Sequence, residues 1–445
     1  MSLRAEAAGT SGWTGQPGLF TRLLLSGVLA DLLVLLLILY CTRVLTPVLS
    51  APDFIDLEVA AHLQATSESN RFNQLFWLGA TLLGILAILP SWRRCLALAT
   101  ERHACLLALV GLALVSAAWA MEPGISIRRS LQQAMIVFCV LAASLGVAST
   151  ARCHRLLHLG LVIALLGNLA ALLALPSAFD WRGDFRGIYD DKNGLGAIAI
   201  IAVLVGGTIH AELGRVGRFL NLAYLAGWML ALVLAGSKTS IGLLVLVPCV
   251  YLVLQTMARS TRLGIGLHLT AWAIVVMALL GFVTHGMGIP PGRLAAMVMP
   301  DPTFTDRDVI WEFVLEQLDG HWLLGYGYQS FWNIGPGSPN LAADLPFIHL
   351  LNQAHNGYLD VILFIGLPGL ALMMGSFLQA FAALPALRHE QPALYRLCCW
   401  LIIFALMHNG MESSLLRGYV PVWIFLLFAF AIAGRSATET RPSAD

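Results

Sequence analysis

The chain has 445 residues, 58% of them hydrophobic and only 11% charged, with a formal net charge of +1. Soluble domains carry roughly 25% charged residues, so a single water-soluble core is excluded and a polytopic, all-α integral membrane protein is expected. The near-neutral charge gives no argument for a nucleic-acid partner. The eight cysteines lie in or beside apolar runs, with neither metal-ligand spacing nor a disulfide framework.

Met1 to Gln16 is polar and Gly-rich, and the apolar run Leu23–Tyr40 is too long for a signal-peptide core. It reads as the first span. A span needs about 20 apolar residues. By that measure spans fall near Phe20–Tyr40, Phe72–Leu89, Ala104–Met121, Leu131–Ser149, Leu156–Leu175, Gly194–His210 and Phe219–Ala235, then Ser240–Met257, Gly264–Thr284, Gly357–Leu384, Leu394–His408 and Tyr419–Gly434. That is about twelve. Residues 1–445 are read as one transmembrane domain, and residues 285–354, between spans nine and ten, as a large outer loop within it.

Arginines set the expected orientation. Alternate connections hold Arg93, Arg94 and Arg102, then Arg152 and Arg155, Arg215 and Arg218, Arg259 and Arg262, and Arg388 and Arg396. The positive-inside rule makes that side cytoplasmic, which places the large loop outside. Lys192 and Lys238, the only lysines in the chain, fall on the outer side. In the loop, Thr305 and Asp308 have the spacing of a capping box. Val309, Ile310, Phe313, Val314 and Leu318 follow at helical spacing, so a short amphipathic helix is expected.

Three spans entering from the outer side begin with polar clusters: Asp190-Asp191-Lys192-Asn193-Gly194, Gly236-Ser237-Lys238-Thr239-Ser240 and His355-Asn356-Gly357. A helix N-terminus carries unpaired N–H groups and partial positive charge, so a lysine there opposes the dipole. Two lysines so placed suggest an anion such as phosphate or pyrophosphate, against the plain alternative of snorkelling to headgroups. His355 at such a terminus is expected to be a neutral imidazole able to take a proton from a hydroxyl, or else a capping residue. Asp360, five residues on, is a poor partner for it. His408-Asn409-Gly410, with Glu412 nearby, is a rival, and His349 a weaker one.

Arg307 opens the loop helix, where it forms either an anion contact or a surface pair with Asp306 or Asp308. Arg186 is placed to grip phosphate bidentately. Asp190 and Asp191 are a weak divalent-metal signal. Asp31, inside the first apolar run, is either functional or interfacial. Tyr326, Tyr328, Phe331 and Trp332 could stack on sugars or lie at the membrane surface, and the surface is the expectation.

The ordered set Phe185-Arg186-Gly187-Ile188-Tyr189-Asp190-Asp191-Lys192-Asn193-Gly194, Ser237-Lys238-Thr239, Asp306-Arg307, Gly325-Tyr326-Gly327-Tyr328 and His355-Asn356-Gly357-Tyr358-Leu359-Asp360 resembles the O-antigen ligase and Wzy-polymerase family. Its nearest likeness is to the ExoQ-type exopolysaccharide polymerases. The resemblance implies an inverting glycosyltransferase in the bacterial inner membrane, with its site on the periplasmic side and no cofactor or metal. It implies a polyprenyl-pyrophosphate-linked oligosaccharide as donor, and membrane lipid, a flippase and chain-length regulators as partners. His355 maps to the family's base and Arg307 to its loop arginine. Arg186, Lys192, Lys238, Asn193 and Asn356 map to the pyrophosphate site. The family's usual Ser-Arg-Thr is Ser237-Lys238-Thr239 here, which keeps the charge but loses the fork. Polymerisation of lipid-linked repeats is the expected reaction. The alternatives are ligation to lipid A-core and, in another class, a secondary transporter or flippase.

Overall fold

The computed structural model describes residues 27–49, 70–288 and 307–439. They form helices α1 (Val28–Cys41), α2 (Arg71–Ile88), α3 (Trp92–Arg102), α4 (Ala104–Val115), α5 (Pro123–Gly146) and α6 (Thr150–Ala174). There follow α7 (Lys192–Ile209), α8 (Arg215–Ala235), α9 (Lys238–Thr261), α10 (Ile265–Gly281) and α11 (Arg307–Gln317). The last are α12 (Pro346–His349), α13 (Gly357–Ala383), α14 (Leu387–Glu390), α15 (Pro392–His408) and α16 (Pro421–Glu439). Among the described residues, seven helical stretches are long and apolar enough to cross a membrane. Five shorter apolar helices among the described residues, α1, α4, α10, α15 and α16, stand where other spans are expected. The chain is a multi-pass membrane protein.

Hydrophobic pattern sorts the helices by depth. Val422 to Ala433 of α16 are apolar all round, and each is at most 3% exposed. Such a helix has no face for water or lipid and belongs inside the bundle. It packs against α5, α13 and α15. At the periphery, α8, α9 and α10 turn Val216, Phe219, Val245, Leu252 and Ile274 outward. That apolar exterior suits lipid, where every backbone group must be satisfied within the protein.

The bundle has two unlike ends. At one, Arg152 pairs with Asp31 at 2.9 Å, and Arg435 donates to the carbonyls of Ser144 and Val147, both at 2.8 Å. Asp31 lies in the first turn of α1, so it is a helix-end residue rather than a mid-span charge. At the other end, Arg43 after α1 meets Asp190 before α7 at 2.6 Å, and the loop from residue 307 to residue 356 packs over the helix termini. The arginine-rich connections and the polar clusters therefore lie at opposite ends, as their alternation in sequence requires.

The loop is a folded cap. In α11, Ile310, Phe313 and Val314 are buried, with Leu318 just beyond it, as the helical spacing predicts. Thr305 and Asp306 of the expected capping box and ion pair lie outside the described residues. The aromatic residues correct the expectation of a membrane surface. Tyr328 and Phe331 are fully buried, and Trp332 is 3% exposed. Tyr328 reaches the Leu416 carbonyl at 2.5 Å, and its backbone N–H donates to Ser116 Oγ at 2.8 Å. Burial of large rings with their polar tips satisfied is core formation.

The glycines between these rings admit a close approach. A side chain on Gly327 would meet Ala120 at 2.3 Å, and one on Gly325 would meet the Leu363 carbonyl at 2.6 Å. Opposite them α13 is broken, with non-helical Ile365 and with Gly366 at φ 69°, ψ −173°. The loop fills the break. Tyr326 N–H donates to the Leu363 carbonyl at 2.8 Å, and Leu367 N–H donates to the Trp322 carbonyl at 2.9 Å.

Candidate active site

Asn356 caps α13, its Oδ1 accepting from the N–H groups of Tyr358 and Leu359 at 3.1 and 3.2 Å. That cap sets the position of His355, which stands just ahead of the helix with φ +49°. A non-glycine residue in the left-handed region is held there by its surroundings. The surroundings are the α15–α16 connection. Gly357 N–H donates to the carbonyls of Asn409 and Glu412 at 2.8 and 3.1 Å. Asn409 is itself fully buried, and its Oδ1 accepts from Ser414 and Leu415 N–H.

This connection delivers Glu412. One carboxylate oxygen lies 3.0 Å from His355 Nδ1, and the other accepts from Arg307 Nη2 at 2.7 Å. The three side chains are 26%, 12% and 13% exposed, for His355, Glu412 and Arg307 respectively. Burial alone would raise the Glu412 carboxyl. The hydrogen bond and charge of His355, with the charge of Arg307, more than offset it, so Glu412 is held below the usual glutamate range. An ionised carboxylate can only accept, so Nδ1 carries the proton that faces it. In the neutral ring Nε2 then has the free lone pair, and it makes no hydrogen bond among the described residues. Gln353 Nε2 approaches the same Nδ1 at 3.4 Å, too long to compete with the charged bond.

The rival histidines are placed differently. His408 is buried in the last turn of α15, with Nδ1 unpartnered. His349 Nε2 is engaged with the Ala343 carbonyl at 2.8 Å. Asp360 lies too deep to orient His355 and instead accepts from Trp332 Nε1 at 2.9 Å and from Ala354 N–H at 3.2 Å.

The second polar cluster holds Asp191, whose carboxyl is raised chiefly by burial and also by the charge of Glu412, so the two clusters lie within electrostatic reach of one another. Asp191 caps α7, its Oδ1 accepting from Asn193 and Gly194 N–H, both at 2.8 Å. Lys192 Nζ pairs with Asp184 at 2.6 Å, and Asn193 Oδ1 accepts from Ser237 Oγ at 3.1 Å. That bond ties the start of α7 to the start of α9, where Lys238 is the exposed first residue. Gly196 permits the approach, because a side chain there would meet Ser240 Oγ at 2.3 Å.

Two expectations change in kind. The first-turn N–H groups of α7 and α13 were expected to meet an anion, yet Asp191, Asn356, Asn409 and Glu412 supply acceptors from the chain itself. Arg186 is 2% exposed and donates to the carbonyls of Ser177 and Tyr189 at 2.9 and 3.1 Å. Its fork holds the loop that presents Asp190 to Lys192 instead of facing outward. Asp190 is paired with Arg43 and Asp191 is a cap, so each carboxylate already has an intramolecular task.

Residues 220–374 match the family described as O-Antigen ligase. The segment contains Lys238, Arg307, His355 and Asn356, and it stops short of Glu412. The chain is also 23% identical over 325 residues to the exopolysaccharide production protein ExoQ of Rhizobium meliloti (strain 1021), covering 73% of this chain and 74% of that one. The resemblance carried by the ordered motifs is thus found again over 73% of the chain.

Proposed function

We propose that this chain transfers a glycan from a polyprenyl pyrophosphate to a sugar hydroxyl. The observation that carries the reading is Glu412, which holds the base His355 through one oxygen and the cation Arg307 through the other. His355 Nε2 takes the proton of the acceptor hydroxyl as its oxygen attacks the anomeric carbon. The bond from that carbon to pyrophosphate breaks on the opposite face, inverting the centre. Charge grows on the departing pyrophosphate, and Arg307, Lys192 and Lys238 supply fixed positive charge to meet it. Asn193 and Asn356 position the two helix starts, and Arg186 shapes the loop between them. No metal or cofactor has a part in this scheme.

The apolar flank of the bundle gives a lipid-linked donor access from the bilayer, so membrane lipid surrounds the reaction. The reading places the protein in a bacterial inner membrane with this site on the periplasmic side, where a flippase would deliver donor and chain-length regulators would act on product. The segregation of Arg152 and Arg435 to the far end supports that orientation. A cysteine replacing exposed Gly337 should react with an impermeant thiol reagent without lysis of the inner membrane. Reaction only after lysis would reverse the orientation.

Polymerisation is favoured over ligation by the similarity to an exopolysaccharide production protein. Ligation keeps support from the family description. Both use the same base and leaving group and differ in whose hydroxyl attacks. Purified protein given one lipid-linked repeat and no other acceptor should produce a ladder of lengthening lipid-linked products. Absence of the ladder, with single-step transfer once lipid A-core is added, would establish the ligase instead.

A further inference from the structure

A second cationic feature lies one side chain away from the base. A cavity of about 160 Å³ opens between Arg129, Arg417, Gln329, Asn333, Asn352 and Trp332. Arg129 projects from the first turns of α5 and donates to the carbonyls of Gln329, Trp332 and Asn333. Arg417 donates to Gln353 Oε1 and to the Asn352 carbonyl. Carbonyls orient a guanidinium but do not neutralise it.

The charged surroundings of the two arginines differ. Arg417 is faced by Asp360 and Glu412. Arg129 is faced by the charges of Arg128 and Arg417 and by the Tyr328 phenol. Neither guanidinium forms an ion pair among the described residues. Two like charges across a half-enclosed polar cavity favour entry of an anion. A guanidinium fork matches a planar carboxylate in two parallel bonds.

The rest of the lining says what carries that carboxylate. Asn333 and Asn352 offer amide donors and acceptors suited to hydroxyl groups, Gln329 offers its carbonyl while its Nε2 is held by Tyr328 and Leu416, and Trp332 and Phe364 give aromatic walls. A bare phosphate would need only the arginines, and a lipid headgroup would need apolar surface at the rim. Gln353 links this cavity to the site, since its Oε1 accepts from Arg417 while its Nε2 lies 3.4 Å from His355 Nδ1. On the glycosyl-transfer reading, a sugar held here lies on the base side of the site and belongs to the acceptor.

We infer that this cavity binds a carboxylate-bearing sugar of the acceptor glycan, the acid between Arg129 and Arg417 and the hydroxyls on the amides. The assignment to the acceptor rests on the transferase reading; the binding itself does not. The test uses full-length protein in detergent, with a glucuronic-acid-terminated disaccharide, its neutral glucose counterpart and inorganic phosphate as probes, followed by calorimetry.

The acidic disaccharide should bind at least about tenfold tighter than the neutral one, on the scale of one charged hydrogen bond. Arg129→Gln should lower that affinity about tenfold or more. Asn352→Asp should do the same by placing a carboxylate in the cavity. It alters an exposed side chain with no hydrogen bond of its own among the described residues, so it serves even where Arg129→Gln disturbs the loop. His355→Ala should leave binding unchanged. Equal affinity for the two disaccharides, no binding of either, or insensitivity to Asn352→Asp would overturn the inference. So would phosphate displacing the acidic sugar at equal concentration, which would make the cavity a plain anion site. Full turnover in His355→Ala with acidic-sugar binding intact would remove the transferase reading and leave the cavity.

Discussion

His355→Ala should lower turnover of lipid-linked repeat by about 10²–10⁴-fold, the range for loss of a positioned general base, or about 3–5 kcal/mol of barrier. Protein yield, thermal stability and donor binding should be preserved. His355 is partly exposed, and its ring finds hydrogen-bond partners among the described residues only in Glu412 and Gln353. His408→Ala is the informative companion. That ring is buried at the end of α15, so its loss should cost stability while the rate per folded molecule changes little. If His408→Ala stops turnover in well-folded protein while His355→Ala does not, the base has been misassigned.

Glu412→Gln should lower turnover by about 10–10³-fold. The substitution keeps the shape and removes the charge that fixes the His355 tautomer and holds Arg307 in place. On the proposed mechanism His355 and Glu412 act as a unit, so their losses should not add. His355→Ala combined with Glu412→Gln should be no slower than His355→Ala alone, within about threefold. Multiplicative losses in the double variant would show that Glu412 serves the reaction independently, through Arg307 or otherwise. Arg307→Ala in the Glu412→Gln background separates those two: a further loss would mean that Arg307 acts without its carboxylate partner.

The parts of this structure legible in the sequence are those written in local pattern. Apolar runs mark where the helices lie, arginine alternation separates the two ends, and helical spacing in Val309 to Leu318 marks the loop helix. His355 and Arg307 stand out because each is found at a helix start, where the dipole disfavours positive charge. Their connector does not. Glu412 is 57 residues from His355 and 105 from Arg307, and no spacing rule links residues at that range. It is noticed in sequence only as a neighbour of His408-Asn409-Gly410, a motif that proves to be a buried turn built around Asn409.

The surroundings of Arg186 are hidden from the sequence for a related reason. An arginine in a Gly-flanked loop looks free to grip an anion, and only the fold shows its fork already committed to carbonyls. The aromatic run from Tyr326 to Trp332 shows the same limit. Its composition suits an interface, a sugar platform or a core equally, and what decides is the broken helix it packs against.

That break bears on how the protein is made. Gly366 lies nine residues into α13, roughly 14 Å along the helix axis, near mid-depth of a bilayer core of about 30 Å. The main-chain groups released there would cost several kcal/mol each if left to lipid. Trp322 and Tyr326 provide their partners, and Leu323 and Leu324 between them are turned outward, like the tip of a re-entrant hairpin. During synthesis that tip leaves the ribosome before α13 does. The segment that fills the break is therefore made before the interrupted helix, so the main-chain partners of α13 are already present when that helix enters the bilayer.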